Sequence, residues 1–172
     1  MKNILAVVLI VLLAAPNVFA FGTSKFKDEV EKEAGAVKLL REVQHGGYDV
    51  ITTAELSELK GTGEDILIID TMPYDASYKK NHIPGAVQFL FPIPEMKEWN
   101  IEETAGKAED DFAALLGTDK EKKIVIYCGF VKCTRSHNGA LWAKKLGYKN
   151  VYRYPGGIFA WKGAGFEASS VK

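Results

Sequence analysis

Hydrophobic residues along the chain recur with two different spacings, which predict two kinds of element. Between positions 24 and 44, apolar residues such as Phe26 and Val30 lie at helical spacing among Lys and Glu, which predicts an amphipathic helix. The runs at 66–69 and 124–126 are aliphatic throughout. Such runs are typical of strands in a parallel sheet that helices cover on both faces. Together these patterns predict an α/β domain.

The other predicted elements are short and alternate in type. Thr52 and Glu55 form a capping-box pattern, which predicts a helix as far as residue 59 after a short strand at 50–51. The remaining predictions are a polar helical piece near 75–80, strands at 87–89 and 151–154, helices at 110–116 and 138–146, a helical turn through Trp161, and an irregular loop over the site at 91–106. This order favours a mainly parallel sheet, in which ligand sites lie at the carboxyl ends of strands.

The first 20 residues have the pattern of a cleaved secretory signal. Lys2 precedes an apolar run at 4–15, and small residues end the segment at Ala20. The run is shorter than the roughly 20 residues that span a bilayer, so we expect no membrane span after cleavage. The alternative is an uncleaved anchor, and the lack of a cysteine directly after the run disfavours a lipid anchor.

Composition and charge narrow the class of function. The chain has 172 residues, of which 47% are hydrophobic and 26% charged, and its 22 basic residues balance 22 acidic ones. The charges are mixed along the chain, so there is no basic surface pattern to predict a nucleic-acid partner. Only two cysteines are present.

Both cysteines lie in one short loop that follows a predicted strand. The sequence reads I-V-I-Y-C-G-F-V-K-C-T-R-S from Ile124, so Cys128 stands at the carboxyl end of the strand and a helix follows the loop. Loop amides, the positive end of that helix, Lys132 and Arg135 would favour a thiolate at Cys128. The same loop would hold a sulfane-sulfur donor or an oxyanion such as phosphate or arsenate. The alternative is a cysteine pair that only sits in, or cross-links, a tight turn.

Three segments of the chain resemble the rhodanese-like sulfurtransferases. They are I-D-T-M-P-Y-D-A-S-Y-K-K-N-H-I-P-G-A at 69–86, K-I-V-I-Y-C with T-R-S at 123–136, and L-G-Y-K-N-V-Y-R-Y-P-G-G-I-F-A-W-K-G-A-G at 146–165. The resemblance implies a rhodanese-like three-layer α/β domain at 48–168, with a mainly parallel central sheet flanked by helices. A helical extension at 21–47 and a signal peptide at 1–20 would precede it.

The resemblance also implies an activity. The Cys128 thiolate would take the outer sulfur of thiosulfate or polysulfide as a persulfide and pass it to cyanide or to a thiol acceptor, including a protein thiol. No metal or organic cofactor is expected. Export of a bacterial-looking member implies the periplasm, and the N-terminal helix could mediate a homodimer. The other loop residues, expected to contact substrate or shape the loop, are Gly129, Phe130, Val131, Lys132, Cys133, Thr134, Arg135 and Ser136.

Departures from the family pattern leave alternatives open. Arg135 stands seven residues after Cys128 rather than five, and Asp70 is followed by Thr71 rather than Arg. Cys133 is an extra cysteine, which could form a disulfide with Cys128, relay sulfur or be a bystander. The alternatives are therefore a thiol redox or sulfur-carrier module, and a phosphatase or arsenate reductase. The latter relatives have five residues between Cys and Arg, and this chain has six.

Several residues near the site have both a functional and a structural interpretation. Arg135 would either clamp the donor or bond loop carbonyls. Asp70 ends a strand at the edge of the site, where we expect it to hydrogen-bond structurally. His82 is expected to be structural rather than a general base, and His45 and His137 are expected at the surface.

Overall fold

The computed structural model describes residues 20–171, with side chains from 24 onward. The predicted signal peptide lies almost entirely outside these residues and stays a prediction. The described chain divides into two units, with the boundary between Ala34 and Gly35. In the first unit, the described side chains from 24 to 34 are exposed. Within residues 20–171, no helix combines the length and the apolar character needed to cross a bilayer.

A five-stranded parallel sheet organises the second unit, with strand order β1-β5-β4-β2-β3. In chain order the elements are α1 (Ala20–Gly46), β1 (Asp49–Val50), α2 (Thr53–Gly61), β2 (Ile66–Asp70), a π-helical turn (Tyr74–Tyr78), β3 (Val87–Gln88), α3 (Glu109–Leu116), β4 (Lys123–Tyr127), α4 (Arg135–Lys145), β5 (Val151–Tyr154) and α5 (Gly157–Gly163). The predicted α/β architecture is confirmed.

The aliphatic strand β4 packs against helices on both faces of the sheet, as its composition predicts. Ile124 and Ile126 of β4 belong to a core cluster that includes residues of α3 and α4. Val125 and Tyr127, which point to the opposite face, belong to a second cluster that includes residues of α2 and α5. Because successive side chains of a strand alternate between faces, an all-apolar strand requires a helix layer on each side. The result is three layers.

Local signals placed several elements correctly and misplaced others. The Thr52 side chain accepts from the Glu55 N–H, and the Glu55 carboxylate accepts from the Thr52 N–H, so the capping box is present. Helix α4 begins at Arg135, three residues before the predicted start at 138. The polar piece near 75–80 is a π-helical turn at Tyr74–Tyr78. The expectation that His137 lies at the surface was wrong, because its side chain on α4 is buried.

The irregular stretch at 91–106 is fixed to α4 by one side chain. Asn138 donates to the carbonyls of Pro92 and Pro94 at 2.8 Å each, and its Oδ1 accepts from the Met96 N–H at 2.9 Å. These bonds satisfy backbone groups that no strand or helix of this stretch would pair. The stretch is therefore irregular, as predicted, and it is tied to the helix that follows the cysteine loop.

Helix α5 starts against the backbone of the cysteine loop. The N–H groups of Ile158 and Phe159 donate to the carbonyls of Cys128 and Gly129, both at 3.0 Å. Gly157 allows this approach, because a Cβ at that position would lie 2.2 Å from the Cys128 carbonyl oxygen. Its φ of 60° is also in the left-handed region that favours glycine.

Gly157→Ala is expected to lower the free energy of unfolding by roughly 2–4 kcal/mol, because the new methyl group meets backbone atoms that cannot rotate away. Gly163→Ala is the matched control, since it lies in the same helix with nothing within 4 Å of the added Cβ. Urea unfolding of both variants measures the difference. Equal stability of the two variants would contradict the close-approach argument.

Candidate active site

The cysteine loop occupies the edge of the sheet where the parallel strands end. Residues 128–134 connect β4 to α4, and the register of β2 on β4 places Asp70 beside Tyr127 at the same edge. A turn closes the loop, in which the Cys133 N–H donates to the Phe130 carbonyl at 2.9 Å. This is the edge at which parallel sheets place their ligand sites.

Cys128 is where the sequence predicts it, but its sulfur is buried. The residue is 0% exposed. Its Sγ lies 3.2 Å from the Cys133 carbonyl oxygen and 3.9 Å from the Phe130 carbonyl oxygen, and both oxygens can only accept. Burial is the main cause that raises the pKa of Cys128, and its side-chain hydrogen bond to Cys133 adds to it. Ser136 Oγ, at 3.2 Å, acts in the opposite direction.

Cys133 has the environment that stabilises a thiolate. The hydrogen bond from the Cys128 side chain lowers the pKa of Cys133 to about 6, against the opposing effect of burial. Backbone N–H groups of Arg135 and Gly129 donate to the same sulfur, and the positive charge of Arg135 adds to the effect. Both cysteines are free thiols. The sequence predicted a thiolate at Cys128. In the structure the pKa of Cys128 is raised instead, because the sulfur is buried, and the loop donors converge on Cys133.

A pocket of about 760 Å³ opens beside the loop. Cys133 lines this pocket together with three cationic side chains, those of Lys80, Arg135 and Lys162. None of the pocket-lining residues is acidic. The walls are mostly apolar and include Met72, Ile93, Phe130, Ile158 and Phe159, with the Phe130 and Phe159 ring centroids 5.5 Å apart. The site therefore suits an anion that carries, or is attached to, a less polar part.

Arg135 bonds a carbonyl outside the cysteine loop, and its predicted role in holding a donor stays a prediction. Its guanidinium donates to the carbonyl of Phe91, which ties the start of α4 to the chain after β3. The same side chain lines the pocket. Phe130 also lines the pocket, whereas Val131 is exposed outside that lining.

Asp70 is buried at the edge of the sheet, in agreement with its expected hydrogen-bonding role. Its Oδ1 accepts from the Met72 N–H at 2.8 Å. Burial raises the pKa of Asp70 to about 6. Among the described residues, its Oδ2 has no hydrogen-bond partner. His82 is also structural in its contacts, since its Nδ1 lies 2.8 Å from the Tyr78 carbonyl and its ring stacks on Tyr78.

A buried arginine on β5 supports the cysteine loop, and the sequence patterns did not indicate it. Arg153 is 0% exposed. It donates to Ser136 Oγ and to the Cys133 carbonyl, both at 2.9 Å, and it forms an ion pair with Glu42. Tyr48 Oη lies 3.3 Å from the same guanidinium. The available signal was the single charge in V-Y-R-Y, a strand that is otherwise apolar.

The second half of α1 also contacts the loop. Lys38 donates to the Thr134 Oγ1 at 2.7 Å and to the Lys132 carbonyl at 3.1 Å. Glu42, one turn further along, holds Arg153. Each of these residues lies in the Gly35–Lys172 unit. The helix that the sequence treats as an extension thus takes part in shaping the cysteine loop.

His137 completes this buried group next to the loop. Tyr48 Oη lies 2.7 Å from the Nδ1 of His137. Burial lowers the pKa of His137 to about 4, so the imidazole is neutral at pH 7. Within residues 20–171, the His, Cys, Asp and Glu side chains form no group of three or more that could hold a metal ion.

Comparisons with known proteins agree on one family. A protein-family model described as Rhodanese-like domain matches residues 52–164. Among curated proteins, the chain is similar to the chloroplastic rhodanese-like domain-containing protein 14 of Arabidopsis thaliana, with 29% identity over 136 residues, or 63% of this chain and 59% of that protein. The chain therefore spans about three fifths of the length of this relative.

Solved structures share the fold. The thiosulfate sulfurtransferase of Pseudomonas aeruginosa matches with a TM-score of 0.58 and 20% identity, over 80% of this chain and 23% of that one. A Rhodopseudomonas palustris protein of unknown function, described as a possible tyrosine phosphatase, matches with a TM-score of 0.53 and 24% identity, over 76% of this chain and 93% of that one. At these identities the likeness establishes the fold.

Glu42→Ala is expected to lower the free energy of unfolding by about 3 kcal/mol, because it leaves a buried guanidinium without its carboxylate partner. Glu33→Ala, on the exposed first half of α1, is the matched control and is expected to change stability by less than about 0.5 kcal/mol. Chemical denaturation at pH 7 measures both. A Glu42→Ala variant as stable as the control would show that Arg153 does not depend on this ion pair.

Proposed function

The chain belongs to the rhodanese-like domain family, and from that membership we propose that it is a sulfurtransferase acting on thiosulfate or polysulfide through a cysteine persulfide in the loop 128–133. The observation that carries the proposal is a thiol with a lowered pKa, Cys133, hydrogen-bonded to Cys128 at the edge of a cation-lined pocket. The family motif assigns the persulfide to Cys128.

The pocket supports an anionic sulfur donor. Lys80, Arg135 and Lys162 contribute positive charge to the pocket, and no acidic residue lines it. Its apolar walls and its volume of about 760 Å³ leave room beyond what a small inorganic anion fills. Both features favour thiosulfate and longer polysulfides as donors over neutral compounds.

The two half-reactions of the sulfur transfer need no external oxidant and no cofactor, because each bond that forms is matched by a bond that breaks. The thiolate attacks the outer sulfur of thiosulfate, a new S–S bond forms, and the bond to the sulfonate sulfur breaks as sulfite leaves with the electron pair. The acceptor is cyanide or a thiolate, which attacks the outer sulfur of the persulfide. Thiocyanate or a new persulfide then leaves, and the cysteine thiolate is restored.

Hydrogen-bond donors around the loop sulfurs would stabilise charge in both half-reactions. Amides of Gly129 and Arg135 face Cys133, and the amide and hydroxyl of Ser136 face Cys128. Because these groups are fixed in place before substrate arrives, they need little reorganisation as charge moves between the sulfurs.

Exposure of the reduced protein to thiosulfate or polysulfide is expected to add one sulfur atom to the protein, and cyanide is expected to remove it as thiocyanate. Intact mass spectrometry and a colorimetric thiocyanate assay follow the two steps. The control is the double variant Cys128→Ser/Cys133→Ser, which should take up no sulfur. If the reduced protein gains no sulfur from either donor, or yields only an intramolecular disulfide, the sulfurtransferase proposal is wrong and a thiol redox function takes its place.

Replacement of Lys80 or Lys162 by alanine is expected to raise the KM for thiosulfate by about threefold, with little change in kcat, because an exposed charge contributes less than about 1 kcal/mol to binding. Lys149→Ala, which removes a lysine that is not among the pocket-lining residues, is the matched control. Steady-state kinetics at low ionic strength tests the effect. The same KM in all three variants would contradict the anion-binding role.

A further inference from the structure

We infer that Cys133, rather than Cys128, is the cysteine that first accepts sulfur, and that Cys128 acts beneath it as a protonated hydrogen-bond donor. The inference rests on the proposed sulfurtransferase function and concerns the division of roles between the two thiols. The family motif points to the first cysteine, and this chain differs from the motif by carrying the second.

Access to the pocket distinguishes the two sulfurs. Cys133 is among the residues that line the pocket, and it is 8% exposed. Cys128 is not among the pocket-lining residues, and it is 0% exposed. A donor that enters the pocket therefore meets Cys133 first. Attack by Cys128 would require the loop to open.

The two cysteine sulfurs also differ in the polarity of the groups around them. Two carbonyl oxygens, of Phe130 and Cys133, lie 3.9 and 3.2 Å from the Cys128 sulfur. Such oxygens repel a thiolate and therefore favour the neutral thiol at Cys128. The Cys133 sulfur instead receives hydrogen bonds from the N–H groups of Gly129 and Arg135. The loop backbone thus favours a thiol at one position and a thiolate at the other.

A hydrogen bond also joins the two cysteine side chains, with Cys128 as the donor and Cys133 as the acceptor. The hydrogen bond between them is the largest cause that lowers the pKa of Cys133, and it raises the pKa of Cys128. The lowered pKa of Cys133 makes its thiolate fraction at pH 7 larger than that of an ordinary thiol. A free thiol with the usual pKa near 8.5 would be only a few per cent ionised at that pH.

The backbone around Cys133 is fixed firmly enough to aim its sulfur. Its N–H donates to the Phe130 carbonyl at 2.9 Å, and its own carbonyl accepts from Arg153 at 2.9 Å. Arg153 is a positioning residue in this arrangement, since it acts on the peptide group rather than on the reacting sulfur.

Written out, the step forms a bond between the Cys133 sulfur and the outer sulfur of the donor. The donor's S–S bond breaks, and sulfite leaves with the electron pair. Cys128 keeps its proton and donates its hydrogen bond to the inner sulfur of the persulfide. Transfer to the acceptor returns the Cys133 thiolate, so neither cysteine changes its oxidation state over the cycle.

Trypsin separates the two cysteines, which makes the assignment direct. Cleavage after Lys123, Lys132 and Arg135 places Cys128 in the peptide 124–132 and Cys133 in the peptide 133–135. Native protein is treated with thiosulfate, trapped with iodoacetamide before unfolding, and then digested. The added sulfur is expected on the peptide 133–135, and the peptide 124–132 is expected without it.

Alkylation without a donor tests the ionisation of each thiol independently of turnover. Short pulses of iodoacetamide over a range of pH are expected to label Cys133 with a midpoint near pH 6, and to leave Cys128 unlabelled in the native protein. Cys128→Ala removes the donor and should move this midpoint upward. Cys128→Ser keeps a donor and should move it less, a graded response that a merely structural role would not produce.

Sulfur uptake by the variants completes the test, with thermal melts to establish that each is folded. Cys133→Ser is expected to lose about a hundredfold or more of the rate of sulfur uptake, whereas Cys128→Ser is expected to lose less than about tenfold. Sulfur on the peptide 124–132 of the native protein, retained in Cys133→Ser, would overturn this inference and leave the proposed function intact. Failure of the wild-type protein to take up sulfur at either cysteine would instead overturn the proposed function.

Discussion

The site depends on the contacts of one buried cation, the guanidinium group of Arg153. A charge in the interior is tolerated only when opposite charge and hydrogen-bond acceptors surround it. Glu42 supplies the charge, while Ser136 Oγ and the Cys133 carbonyl supply acceptors. These partners come from α1, from α4 and from the loop. The contacts of one side chain therefore bring three parts of the chain together.

Helix α5 holds the loop through backbone hydrogen bonds, in addition to the contact between the Phe130 and Phe159 rings. The first amides of α5 bind the carbonyls of Cys128 and Gly129, and Gly157 lets the helix come close enough to do so. The carbonyl groups that are used in this way are turned toward α5. Amides of Gly129 and Arg135 remain directed at the Cys133 sulfur. The hydrogen-bond partners of the loop peptide groups therefore determine that amides face the Cys133 sulfur.

Sequence patterns predicted the parts of this structure that depend on neighbours along the chain. The aliphatic runs of β2 and β4, the Thr52–Glu55 capping box and the cysteine loop after a strand are all present, since each is determined within a few residues. The partners of Arg153 were not predicted, because Glu42 is 111 residues away and no local pattern links them. Likewise, the order of two cysteines in the sequence does not reveal which sulfur the loop amides face. That depends on how the loop turns between Phe130 and Cys133.

The ion pair between α1 and β5 also changes where the functional unit begins. The family model covers 52–164 and includes the three motifs except Gly165, yet Lys38 and Glu42 precede it. A fragment cut at the edges of the model would keep the signatures of the family except Gly165 while removing the carboxylate that neutralises Arg153. In this protein, the boundary of the recognisable domain and the boundary of the folding unit are therefore different places in the chain.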